Sequence, residues 1–338
     1  MKTNYGLKKH RKRNNKAIRY AAVGHDKSFG TGKAVLITVA ALIALFLLFF
    51  FLNDRFFEID GIPTWEDLYK EAGLTPDIEE VEEEVAVHFI DVGQGDCQLI
   101  KSGASSVLID CGEKDCFSDV IAYLKAQKIE RLDYVIVTHP HSDHAGGMSY
   151  ILDEFDIGTV IMPEIPDELI PVTSTYTRLL KAVERNNISL EYAEAGKEYS
   201  LEKGTIKLLS PINNYDNLNN YSVVAKFVYI NTSFLFTGDI EAEAEADIIG
   251  SGAELTADVL KVAHHGSGSS SQKSFLNAVN PKYAVIESGS PNDYGHPDEK
   301  VVSRLENMGI TVYRTDLHGN TVFITDGENY KIITEREP

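Results

Sequence analysis

At 338 residues the chain holds one large domain or two small ones, and it carries a formal charge of −19 at pH 7. The charge is unevenly placed: the first 33 residues have ten Lys or Arg against the single acid Asp26, about +9, which leaves about −28 on residues 34–338. So acidic a body argues against broad electrostatic capture of nucleic acid, although a local basic track or bound cations are compatible with it.

In chain order, residues 1–33 read as a basic tail. Residues 34–52, AVLITVAALIALFLLFFFL, contain no charge and no polar face. As a helix this stretch is about 28 Å long, close to the thickness of bilayer hydrocarbon. No small-x-small cleavage site follows, since the next residues are Asn53-Asp-Arg-Phe-Phe57, so the segment reads as an uncleaved signal anchor rather than a signal peptide. The positive-inside rule puts the basic tail in the cytoplasm and everything after residue 52 outside the membrane. Residues 53–85 read as a stalk, with a short amphipathic helix over 65–72 and a solvated acidic run over 77–84.

The compact domain is expected over 86–338. Its start pairs strands over 85–91, 97–101 and 107–110, joined by turns at Gly93, Gly95 and Gly103. A helix over 117–128 follows, then strands at 134–137 and 159–162 and a helix over 176–186. A second half repeats the pattern with strands at 206–209, 223–230 and 233–236, a helix at 241–249, a strand at 259–263 and a helix at 272–278. A strand at 283–287 and a helix at 299–307 come next, and strands at 311–314, 321–325 and 330–334 close the chain. Strand-rich stretches interleaved with helices, appearing twice, suit an α/β fold, a four-layer αββα sandwich.

Between the strand at 134–137 and the helical spacing that begins at His144 lies Thr138-His-Pro-His-Ser-Asp-His-Ala-Gly-Gly147. A strand-to-helix junction is the usual ligand position in α/β sheets. His139, His141, Asp143 and His144 fall within six residues, too crowded on one turn for a single ion. Two serving one cation and two its neighbour predict a two-metal centre.

This His-x-His-x-Asp-His motif resembles the signature of the metallo-β-lactamase superfamily. More narrowly, the chain resembles the hydrolase domain of ComEC-type DNA-uptake proteins, over roughly residues 86–327. The resemblance extends to Phe89-Ile-Asp-Val-Gly-Gln-Gly-Asp96, Leu108-Ile-Asp110, Phe236-Thr-Gly-Asp239, Leu260-Lys-Val-Ala-His-His-Gly-Ser267 and Tyr294-Gly-His-Pro297. It implies the αββα fold, with His139 and His141 on a first metal and Asp143 and His144 on a second. Asp239 matches the bridging carboxylate, and either His264 or His265 completes the second metal's ligands while the other is free for substrate. Asp110 matches an orienting acid behind the ligands. Asp91 and Asp96 are either turn-forming residues or further support for the site.

One departure stands out. Zinc β-lactamases and lactonases carry another His between the motif and the bridging Asp, and here no His lies between His144 and His264. Asn220 and Ser222 stand near that place, as in the ComEC-type pattern or as a plain polar turn. The gap leaves room for water or a phosphate oxygen, and leaves zinc, the first choice, open against manganese. Asn220, Ser222, Ser267, Tyr294, His296 and His318 are expected to meet substrate. Asp143, Asp239 and His296 are the candidate catalytic groups, His296 as the acid that protonates the leaving oxygen.

The three cysteines, Cys97, Cys111 and Cys116, lack zinc-finger spacing; a Cys111–Cys116 disulfide or three unpaired thiols are both open. The combined reading is a membrane-anchored, extracytoplasmic hydrolase of phosphodiesters, with DNA the first expected substrate. One span makes no pore, so DNA uptake would need a separate membrane channel protein. The alternatives are an envelope ester (choline phosphate or teichoic acid) as substrate, or a catalytically inert surface binding protein.

Overall fold

The structure, a computed structural model, describes residues 36–42, 44–46, 48–49 and 80–337. The basic tail and the stalk over 53–79, with its expected helix, lie outside the described residues. Of the expected anchor, the described residues are helical and exposed. Among the described residues no helix is long and apolar enough to cross a membrane. The chain divides into two units, Met1–Asp77 and Ile78–Pro338. In the second, Val81 is already buried and packs with Ala86, Val322 and Ile324, a few residues ahead of the expected start at 86.

Strands β1 (Val85–Phe89), β2 (Gln98–Ser102), β3 (Ser105–Ile109), β4 (Arg131–Ile136), β5 (Asp156–Met162) and β6 (Ser189–Tyr192) build most of a first sheet. Helices α1 (Phe117–Ala126), α2 (Ser142–Ala145), α3 (Met148–Glu154) and α4 (Ser174–Arg185) connect them. A second sheet holds β7 (Glu198–Ser200), β8 (Thr205–Leu208), β9 (Ala225–Tyr229), β10 (Thr232–Phe236), β11 (Val259–Lys261), β12 (Tyr283–Ile286) and β13 (Thr311–Arg314). Its helices are α5 (Ala242–Gly250), α6 (Lys273–Val279), α7 (Glu299–Asn307) and α8 (Thr315–His318). The chain then returns to the first sheet through β14 (Thr321–Thr325) and β15 (Tyr330–Thr334). The strand orders are β15-β14-β1-β2-β3-β4-β5-β6 and β13-β12-β11-β10-β9-β8-β7.

Strand side chains alternate between faces, and here both faces of each sheet are apolar, which requires cover on both sides. Val87, Phe89, Ile109 and Ile136 of the first sheet meet Phe227, Phe234 and Phe236 of the second in a core between the sheets. The opposite faces each pack on helices: Leu108, Val135 and Val160 against Leu124, Met148 and Leu179 in one case. In the other, Leu235, Leu260 and Ala284 pack against Ile248, Phe275 and Leu305. Three apolar layers between four structural layers make the expected αββα sandwich.

All three cysteines are unpaired; Cys97 and Cys111 are buried, and the Cys116 thiol donates to the Val92 carbonyl over 3.0 Å.

Candidate metal centre

The site grows from the carboxyl ends of parallel strands, where chain reversal leaves polar groups unpaired. β3 pairs parallel with β4, and β10, β11 and β12 run parallel in turn. Asp110 follows β3, Thr138–His144 follows β4, Asp239 follows β10, His264 and His265 follow β11, and Glu287 follows β12. Backbone strain gathers at the same ends. Asp110, His264 and His265 have φ of 54°, 52° and 52°, a region that costs non-glycine residues about 1–3 kcal/mol each. At Gly238 a Cβ would stand 2.9 Å from the Cβ atoms of both Ser222 and Thr138, so only glycine lets the two halves approach here.

Four side chains converge on an inner position. His144 Nε2 lies 3.2 Å from Asp239 Oδ1 and 4.0 Å from Asp143 Oδ2, and His265 Nε2 lies 3.3 Å from Asp143 Oδ2 and 3.7 Å from Asp239 Oδ2. His144 Nε2, His265 Nε2 and Asp239 Oδ1 are buried and have no hydrogen-bond partner. Orphaned buried polar atoms are costly unless something else meets them, and a divalent cation would meet all three. The tautomers agree. His144 Nδ1 is 2.8 Å from Asp110 Oδ2, and His265 Nδ1 is 2.9 Å from the Glu287 carbonyl oxygen. Both neighbours only accept, so each Nδ1 keeps its proton and, with a cation bound, each Nε2 would present its lone pair inward. Asp110 is itself fixed by the Thr138 N–H (2.8 Å) and hydroxyl (2.5 Å).

The adjacent outer position is built differently. His139 Nε2 and His141 Nδ1 approach to 2.9 Å, and His139 Nε2 is 3.8 Å from Asp239 Oδ2. Behind His139, among the described residues, stand two hydroxyls, Thr138 Oγ1 at 3.2 Å and Ser222 Oγ at 3.3 Å from Nδ1. Ser222 Oγ also accepts from the Asp239 N–H at 3.0 Å, so it ties the two halves together. His141 is exposed.

The electrostatics separate the two positions. Burial disfavours protonating His144, but Asp239, Asp96 and Asp110 outweigh it and hold its pKa well above the ordinary range. Burial likewise opposes a charge on His265, yet Asp239 and Asp96 push its pKa up to about 10. Burial would raise the Asp239 carboxyl, but His144 and His265 hold it well below the carboxylate range. His139 goes the other way: burial and then His144 keep it well below the imidazole range. Without a cation, the inner position supplies the missing positive charge with protons.

His264 and His265 differ in geometry. His265 turns inward and is buried. His264 is 21% exposed at its side chain, with Nε2 3.8 Å from Asp239 Oδ2 and Nδ1 3.5 Å from Glu241 Oε1. Both residues are left-handed (φ 52°), so the two side chains are not set by the simple alternation of a strand. His296 completes the rim: its ring lies 5.5 Å from that of His264 and 6.3 Å from that of His265. The exposed Tyr294 ring stacks on His296 at 5.9 Å and 22°. Burial, then His264 and His265, lower the His296 pKa.

Other expected site residues are placed elsewhere. Asp91 pairs with Arg336 at 2.5 Å and accepts from the Gly93 N–H, in a turn against the C-terminal segment. His318 bonds within its own turn to Arg314 and packs on Tyr313. Asn220 is buried, and both ends of its amide serve the start of α5, through the Glu241 N–H (2.8 Å) and Glu243 (3.3 Å). Ser267 Oγ bonds Ser269 Oγ at 3.1 Å, and Ser269 in turn reaches His264.

Asp96, in contrast, lies inside the cluster. Its Oδ1 is 3.1 Å from His265 Nδ1, and its Oδ2 is 2.5 Å from Nζ of Lys261, a fully buried cation that sequence reasoning passed over. The signal was present: one Lys inside the apolar run Val259-Leu-Lys-Val-Ala263. Beside it Glu287 accepts from the Cys97 N–H and from Gln98, and burial and then Asp96 raise its pKa well above the ordinary carboxylate range.

A His and Asp cluster set between the two sheets of an αββα sandwich, at the strands' carboxyl ends, is a candidate metal centre of the kind that the metal-dependent hydrolases of this fold carry. The chain belongs to the metallo-beta-lactamase superfamily, whose sequence profile matches residues 90–287. It is similar to ComE operon protein 3 of Bacillus subtilis, 30% identical over 69% of this chain and 32% of that protein. It is similar also to competence protein ComA of Neisseria gonorrhoeae, 32% identical over 72% of this chain and 32% of that protein. The chain thus spans about a third of the length of these relatives. Among solved structures, CmlA, a diiron beta-hydroxylase from Streptomyces venezuelae, shares the fold with a TM-score of 0.50 at 14% identity, covering 77% of this chain and 59% of that one.

Proposed function

We propose that this protein is a membrane-anchored phosphodiesterase whose first substrate is DNA, with residues 34–52 in the bilayer and the hydrolase domain outside the cell. Asp143, His144, Asp239 and His265 would hold one divalent cation, zinc or manganese, and His139, His141 and Asp239 the other. Bound there, the two cations lower the pKa of water and neutralise charge building on a phosphoryl group. The observation that carries the substrate class is the short donor set of the outer position: no His lies between His144 and His264, and Ser222 stands behind His139 at Nδ1 and not among the ligands, so a cation held by His139, His141 and Asp239 would have room for a phosphoryl oxygen. His264, steadied by Glu241, and His296 flank that opening as N–H donors to the phosphoryl and leaving oxygens. The similarity to proteins named for competence supports DNA over other esters, and transport of DNA would fall to a separate channel protein.

The charge of about −28 on residues 34–338 favours a second reading, a small envelope phosphodiester. The test uses the full chain in mild detergent, with zinc or manganese, on bis-(p-nitrophenyl) phosphate and on single-stranded DNA. Metal-dependent DNA cleavage that falls steeply with salt and is lost in His141→Ala and Asp239→Asn is expected. Cleavage of the small ester alone, with flat salt dependence, selects the envelope substrate, and inactivity on both with metal bound refutes the enzyme reading.

A further inference from the structure

Lys261 is the last residue of β11, and its ammonium sits wholly inside the protein beside the inner metal position. Nζ lies 2.5 Å from Asp96 Oδ2 and donates to the Val262 carbonyl at 3.1 Å. Asp96 comes from the opposite half, in the loop between β1 and β2. Its backbone N–H donates to the Asp143 carbonyl at 3.1 Å, and its carboxylate reaches both inner imidazoles, His265 Nδ1 at 3.1 Å and His144 Nδ1 at 3.9 Å. Ligand-capable atoms of Asp96, His144, Asp239 and His265 all lie within 4.8 Å of one another, so the Asp96 carboxylate, which meets both imidazoles at Nδ1 behind the cation position, is close enough to turn in among the ligands once nothing holds it. A buried ion pair is poor evidence of stability, because desolvating both ions costs several kcal/mol and apolar isosteres often serve as well. A lysine kept here needs another explanation.

We propose that Lys261 is a positioning residue that reserves Asp96. Its ammonium takes the carboxylate's charge, keeps Asp96 out of the ligand set, and confines the inner cation to Asp143, His144, Asp239 and His265. The inference rests on the reading that this cluster binds divalent cations. Its consequence is a pair of opposite signs. The Asp96–Lys261 pair is neutral toward the metal. Loss of Lys261 leaves an extra anion within reach of the cation, which attracts and ligates it. Loss of Asp96 leaves a bare ammonium, which repels it.

The experiment measures zinc affinity of the full chain by competition with a chromophoric chelator, for wild type, Lys261→Met, Asp96→Asn and the double variant. Lys261→Met should bind the inner zinc about tenfold more tightly, and Asp96→Asn more weakly by on the order of 10–100-fold. The double variant should return close to wild type. X-ray absorption should show one more oxygen ligand on zinc in Lys261→Met, absent again from the double variant. If Asp96→Asn does not fold, the same sign is read from Lys261→Met against the double variant, in which no charge is stranded. Affinities that fall together in both single variants, or zinc with unchanged ligands in Lys261→Met, overturn the inference and leave the metal centre standing. A wild-type chain that binds no divalent cation overturns both.

Discussion

The inner and outer positions share Asp239 and differ in almost everything else. At the inner position each imidazole has an acceptor behind it: Asp110 behind His144, the Glu287 carbonyl and Asp96 behind His265. These partners fix the tautomer and enrich the nitrogen that faces the cation. At the outer position His139 is backed by two hydroxyls, and His141 is exposed. A site backed by carboxylates is set before metal arrives, whereas one backed by hydroxyls next to solvent exchanges readily and can admit a substrate oxygen. On the function proposed above, the difference would give an inner cation a holding role and an outer one a working role.

The largest effect that could break this comparison is on metal retention. Chelator titration should remove the ions in two steps, the outer one first, with affinities about 10–100-fold apart. His265→Ala should lose the inner equivalent and all hydrolysis, while His264→Ala keeps both equivalents. The pH dependence sharpens the contrast. His144 and His265 have raised pKa values, so they are protonated in the metal-free protein and must release protons to bind. His139 is held low and has none to release. Lowering the pH from 8 to 6 should therefore weaken the inner position steeply and the outer one little. Parallel slopes in isothermal titration would erase the distinction.

A smaller effect is expected at Ser222. Its Oγ accepts from the Asp239 N–H and faces His139 Nδ1. Ser222→Ala removes both contacts at a cost of about 1 kcal/mol, which should loosen the outer cation several-fold and leave the inner one unmoved. Loss of both equivalents together in metal analysis would show that Ser222 supports the whole cluster.

How much of this was legible follows from how each half supplies its residues. His139, His141, Asp143 and His144 crowd one turn, so their chemistry stands out from the sequence. The second half spreads Ser222, Asp239, Lys261 and His265 over three strand ends, and resemblance rather than spacing located most of them. Asp91 and Asp96 sit alike around the same glycine turn, and only the fold sends one to Arg336 and the other to Lys261. His264 and His265 could not be told apart because their left-handed backbone, invisible in residue order, breaks the simple alternation of a strand. The main strands showed in their apolar runs, while β6 and β7 were missed, since three or four residues at a sheet edge are too short for a period to register.

The smallest effect on the centre, and the one that isolates its rim, concerns Glu245. This buried carboxyl accepts from the backbone N–H groups of Ser271 (2.5 Å) and Gln272 (2.9 Å), and Arg304 holds the Ser271 carbonyl at 2.6 Å from the other side. Together they shape the serine loop whose Ser269 hydroxyl reaches His264, on the outer side. Burial raises the Glu245 pKa to about 7 from 4.5, against the pull of the two N–H groups and Arg304. The folded state therefore binds the proton more tightly than the unfolded chain does. Stability falls as pH rises from about 4.5 through 7, by about 3 kcal/mol once the native group is fully ionised. Glu245→Gln cannot ionise, so its stability relative to wild type should improve by that amount between pH 4.5 and pH 8 in urea unfolding. Both metal equivalents should remain and activity should change only a few-fold, because the carboxyl touches neither position. Stability curves that run parallel across this range would mean that Glu245 is charged throughout and that the rim draws its order from Arg304 instead.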